Sequence, residues 1–151
     1  MNHFLEYYTS QKKEIFDKLA SLEKQMDVDE LHDLRVAFKR MRALFRMLKK
    51  TAPHWLPPEK DYEHFRNFFK TAGKLRDIHV QQKEMAKHEK ALGLELAFVH
   101  DYLKNLENQY ESDFYETLNE FDKELFNRYT SFLQDELSKY GDFDLYKWIV
   151  D

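Results

Sequence analysis

Apolar side chains recur at helical spacing along nearly the whole chain. Between residues 3 and 26 they stand at Phe4, Tyr8, Ile15, Leu19, Leu22 and Met26, positions that share one stripe of a helix. Asp27 and Asp29 then offer capping oxygens for a second helix, expected from about Glu30 to Lys50. Pro53, Pro57 and Pro58 end it in a short loop around Trp55, because a proline ring blocks the helical hydrogen bond. A third helix is expected from about Asp61 to Lys90, with a break at Leu92 and Gly93. A fourth carries Leu96, Val99, Leu103, Leu106, Tyr110 and Phe114. A weak break between Asn119 and Asp122 precedes a fifth, with Phe126, Tyr129, Leu133 and Leu137. No stretch alternates with the period of a strand. The expected fold class is all-α: one domain over residues 1–151, an antiparallel bundle of four to five helices joined by short loops.

Composition agrees with this pattern. Only 3 Gly and 3 Pro interrupt 151 residues, so the elements are few and long. Gly73 is the exception inside a helix. Its interior placement costs roughly 1 kcal/mol relative to alanine, which points to the close approach of another backbone or of a ligand. The chain has no Cys, which excludes disulfides and thiolate zinc sites. Neither a signal-peptide core nor a membrane-length apolar run is present, so a cytoplasmic location with no membrane partner is expected.

The net charge of -4 hides an asymmetry. Residues 32–50 hold seven Arg and Lys against one Asp, whereas residues 101–151 hold five basic and thirteen acidic residues. The basic segment is ordered. His32, Arg35, Lys39, Arg42, Arg46 and Lys49 follow one another at steps of 3, 4, 3, 4 and 3, which sets them along one face of the second helix over about 25 Å. Leu34, Phe38, Met41, Leu44, Phe45 and Leu48 flank this stripe on one side, and Val36, Ala43 and Met47 on the other. Apolar residues on both sides suggest the floor of a groove rather than a solvated face.

Like charges at these spacings repel by roughly 0.2–0.5 kcal/mol per pair, so something off the helix must compensate. Acidic residues of the C-terminal helices are one possibility. A linear polyanion is the other, since Arg offers a planar fork to phosphate oxygens and Lys a point charge. Arg66, Lys70, Gly73, Lys74 and Asp77 share a face of the third helix and extend the basic surface, with Arg76 beside Asp77 and His79 just beyond. An Asp among basic residues reads as an orienting partner for Arg.

Two segments resemble a known family. LHDLRVAFKRMR is similar to the signature of the CHAD domain, the conserved-histidine α-helical domain, which opens H-x-x-R-V-x-x-[RK]-R-x-R; His32, Arg35, Val36, Lys39, Arg40 and Arg42 fit it. AGKLRDIHV resembles the family's second motif, L-G-x-x-R-D-x-D-V, in Gly73, Arg76, Asp77 and Val80, with Ala72 in place of the Leu and His79 in place of the second Asp. The two motifs span about residues 30–85. The resemblance implies a helical bundle that binds inorganic polyphosphate in a basic groove on the His, Arg and Lys of such motifs. Together with the stripe and the third-helix face, the expected contacts are His32, Arg35, Lys39, Arg40, Arg42, Arg46 and Lys49 of one helix and Arg66, Lys70, Lys74 and Arg76 of the next, with Asp77 orienting. No cofactor and no metal are expected. Family domains usually hold two such halves, whereas residues 91–151 contain no second basic helix. The chain therefore resembles half a domain, and two copies are expected to pair and complete the groove.

Three rival classes remain. The histidines form no tight metal spacing and the carboxylates no evident acid–base pair, so catalysis is not expected. A basic stripe is also the footprint of nucleic-acid binding, but the protein is acidic overall and no Phe or Tyr is interleaved in the stripe to stack bases. A protein-interaction bundle with an internally neutralised stripe is the third.

Overall fold

The computed structural model describes residues 3–139. Its elements are five helices and one short 3-10 turn: α1 (His3–Lys24), α2 (Val28–Thr51), the turn Pro53–Trp55, α3 (Glu59–Leu92), α4 (Ala97–Glu120) and α5 (Glu124–Ser138). The all-α bundle is as expected, and the element bounds differ from the expected ones by only a few residues.

The caps explain the bounds. The Asp27 side chain accepts hydrogen bonds from the backbone N–H groups of Asp29 and Glu30, both at 2.9 Å, which starts α2 a turn ahead of its apolar stripe. Gly93 closes α3 at φ 64, a left-handed conformation that glycine adopts without strain. Glu89 then ties the turn, accepting from the backbone N–H of Leu96 at 2.8 Å.

Successive helices run antiparallel. Phe38 stacks on Phe65 and Phe45 meets Tyr62, so positions rise along α2 as they fall along α3. His79 pairs in space with Glu107, and Glu89 with His100, in the same sense between α3 and α4. Phe4 at the start of α1 touches Trp55 just past the end of α2. The core between them is rich in aromatic rings: Tyr8, Phe38, Phe65, Phe68, Phe114 and Phe126 are fully buried. The phenol of Tyr129 on α5 donates to the Trp55 carbonyl at 2.6 Å, and that of Tyr8 on α1 donates to the Phe126 carbonyl at 3.1 Å. Burial pushes the ionisation of both phenols well above the usual tyrosine range.

The α3–α4 hairpin outruns this core. The buried residues of α3 stop at His79, and those of α4 begin at Leu103. Beyond them the hairpin exposes Leu92 (69%), Leu94, Phe98 (76%) and Tyr102. Among the described residues, no helix is long and apolar enough to cross a membrane.

Candidate anion-binding site

The basic stripe of α2 lies where the sequence puts it, on the edge of the helix beside α3. His32, Lys39, Arg46 and Lys49 are exposed, and Arg35 and Arg42 are half-buried. The Leu34–Leu48 flank is buried as expected. The other flank is not: Ala43 is exposed, and Val36 and Met47 are only half-buried. Small or edge-placed apolar residues there are left uncovered because no helix among the described residues packs over them. The stripe therefore has one wall, α3, and is open on its other side.

The contact with α3 is built around one aromatic residue. The guanidinium carbon of Arg35 lies 4.6 Å from the Phe69 ring centroid and that of Arg42 lies 4.7 Å from the same centroid. Arg35 also donates through Nη1 to the Phe69 carbonyl oxygen at 3.1 Å. Gly73, one turn further along α3, leaves the space this side chain occupies. A Cβ there would stand 2.6 Å from Nη1, so the close approach anticipated for Gly73 is that of the α2 arginine. Burial lowers the pKa of Arg35. The positive charges of Arg76 and Arg42 act in the same direction, and Asp77 opposes them. Arg35, Arg42, Arg76 and Asp77 therefore share one neighbourhood.

The remaining expected residues are distributed more widely. Asp77 is exposed and makes no ion pair with an arginine among the described residues. The positioning of Arg35 comes instead from Phe69 and Gly73. Arg66 is bound to Glu63 on its own helix, 3.3 Å away. Lys74 lies 5.8 Å over the Tyr110 ring of α4, on the flank of α3 away from Arg35 and Arg42. Lys70 and Arg40 are exposed.

Charge pairing separates the stripe from the rest of the molecule. Lys18 of α1 holds Glu30 at 3.2 Å and Asp33 at 3.3 Å, which removes the one acid of the basic segment from the stripe. Other carboxylates pair away from the stripe: Glu107 with Lys104, Glu23 with Lys123, Asp61 and Asp122 with Arg128. Among the described residues, no carboxylate lies within ion-pairing distance of Lys39, Arg42, Arg46 or Lys49. The internal neutralisation considered from the sequence does not reach these four among the described residues; Asp142, Asp144 and Asp151 lie outside the described residues.

His79 is set apart from the stripe. Its side chain is 2% exposed, with Nε2 3.4 Å from Oε1 of Glu107 on α4. Neither ring nitrogen has a well-formed hydrogen bond, and burial lowers the imidazole pKa despite the pull of Glu107. Glu107 in turn accepts from Gln82 at 3.0 Å and Lys104 at 2.9 Å. The group joins α3 to α4, within reach of the Arg76 charge.

Comparison with protein-family models matches the chain to the CHAD domain over residues 10–142. No curated protein and no solved structure matches it.

Proposed function

The chain belongs to the CHAD domain family, and on that footing we propose that it binds inorganic polyphosphate, without cleaving it, along the α2 stripe and its α3 wall. One observation carries this reading. Lys39, Arg42, Arg46 and Lys49 follow one another on a single helix edge, and no described carboxylate offsets them, although the molecule is acidic overall. Their mutual repulsion favours the bound state of any anion long enough to touch several of them. A linear chain of phosphates has that shape, and arginine forks match its oxygens.

Single-stranded nucleic acid is a poorer fit. Base stacking needs an available aromatic face, and the aromatic ring at the stripe, Phe69, already carries two guanidinium groups. The exposed Ala43 and half-buried Val36 beside the stripe support pairing with a second copy that covers the open side. Sedimentation at micromolar concentration, with and without polyphosphate, checks that part: a monomer in both states rejects it.

Titration calorimetry with polyphosphate at two salt concentrations tests the main reading. Binding should weaken with salt, as counterion release requires, and collapse in the Arg35→Ala/Arg42→Ala protein. A folded wild-type protein that leaves polyphosphate unbound rejects it. Competition by RNA at equal phosphate concentration would move the assignment to nucleic acid, and steady phosphate release would move it to catalysis.

A further inference from the structure

We infer that Phe69 is the positioning residue of this site: its ring stands against both the Arg35 and Arg42 guanidinium groups and sets their spacing, so that the pair grips linked phosphates in preference to a single phosphate. The ligand in this statement rests on the polyphosphate reading; the positioning does not.

The two arginines are seven residues apart on α2, a rise of about 10.5 Å. Both guanidinium carbons nevertheless lie within 4.7 Å of one ring centroid, so they are no more than about 9 Å apart. Their anchor points stand two turns apart on α2, so the side chains converge on the shared ring from different levels of that helix. Attraction between cation and ring then offsets part of their repulsion.

The ring is itself held in place. Phe69 stacks on Phe38, with centroids 6.3 Å apart and planes 25° apart, and Phe38 is buried against Phe65 and Phe68. Orientation thus passes from the core to Phe69 and from Phe69 to the two arginines. Arg35 is further pinned by its bond to the Phe69 carbonyl and by the space over Gly73. Guanidinium groups already ordered in the free protein lose less freedom on binding. Held to the ring from two levels of the helix, they do not converge on one phosphate, but each can take an oxygen of a longer chain.

The test compares Phe69→Leu, Phe69→Tyr and wild type. In the free protein, the δ-protons of Arg35 and Arg42 should be shifted upfield by the ring, and the shift should vanish in Phe69→Leu and persist in Phe69→Tyr. Titrations with long polyphosphate, tripolyphosphate and orthophosphate should show about a tenfold loss for the long chain in Phe69→Leu, of the size cation–π contacts supply. Orthophosphate binding should barely change, and Phe69→Tyr should restore the affinity. In an Arg35→Lys/Arg42→Lys background, Phe69→Leu should have a clearly smaller effect, because an ammonium still meets the ring face but has no plane for the ring to align. An equal loss in that background, or unshifted arginine protons in wild type, overturns the positioning role. Equal losses for orthophosphate and the long chain overturn the preference for linked phosphates. Ring-shifted arginines in a protein that ignores polyphosphate leave Phe69 its positioning role and remove the polyphosphate reading.

Discussion

A Cβ added at Gly73 would fall 2.6 Å from Nη1 of Arg35. The intruding atom is the far end of a flexible side chain, so the arginine, and not the helix, gives way. Gly73→Ala therefore exchanges one effect for another. It gains up to about 1 kcal/mol of helix propensity and loses the Arg35 bond to the Phe69 carbonyl, worth about 1–3 kcal/mol for a charged donor. Thermal melts should show a change of only a few degrees, while calorimetry shows weakened polyphosphate binding. Unchanged affinity would mean that Arg35 need not sit at Phe69 in order to bind.

His79 stands where the second motif carries an aspartate, and Glu107 explains why this chain does otherwise. An aspartate is shorter than the imidazole and would place a second carboxylate in the buried region that faces Glu107, with Lys104 already engaged. His79→Asp should be destabilising by several kcal/mol, as expected for an unpaired buried charge, and His79→Gln much less so. Denaturant titration of the two variants separates them.

The same histidine makes stability depend on pH. Its folded pKa lies below the ordinary value of 6.5 because burial opposes the charged form. The neutral ring is what the fold accommodates, so its contribution is fully present above 6.5 and is lost as the pH falls below it. Wild-type stability should therefore decline on acidification from pH 6.5, and His79→Gln should decline less over the same interval. Parallel slopes for the two proteins would remove His79 as the source.

Asp27 caps the helix that carries the stripe, accepting two backbone N–H groups at 2.9 Å. Asp27→Ala should cost about 1 kcal/mol of stability and leave polyphosphate affinity unaltered, since the first stripe residue, His32, begins more than a turn later. Equilibrium unfolding gives the first quantity and calorimetry the second.

The elements were legible because each begins or ends on residues with a definite backbone effect: Asp27 as a cap, Pro53 and Pro58 as breaks, Gly93 as a left-handed stop. The stripe was legible because its steps of three and four are helical. Gly73 also announced a close approach, though not whose. Phe69 was not legible as part of the site. It is one more apolar residue in a Phe-rich helix, and only the packing of α3 on α2 brings it to two arginines. The openness beside Ala43 and Val36 was not legible for a related reason: periodicity marks a residue as apolar but does not say whether another helix covers it. Arg66 and Lys74 share a helical face with Gly73, but Arg66 pairs with Glu63 one turn back on α3 and the packing of α4 gives Lys74 to Tyr110.

Because α3 runs unbroken from the core into the exposed hairpin, its amide protons belong to two regimes within one helix. Up to His79 they are shielded by buried side chains and should exchange with solvent only when the whole domain opens. From Val80 to Leu92, over about 20 Å, little apolar surface secures them, and the polar ties are Gln82 to Glu107 near its start and Glu89 to Leu96 and His100 near its end. Exchange there should proceed by local fraying at far lower free energy. The far half of the hairpin can thus melt and reform repeatedly while Arg35 and Arg42 stay fixed against Phe69.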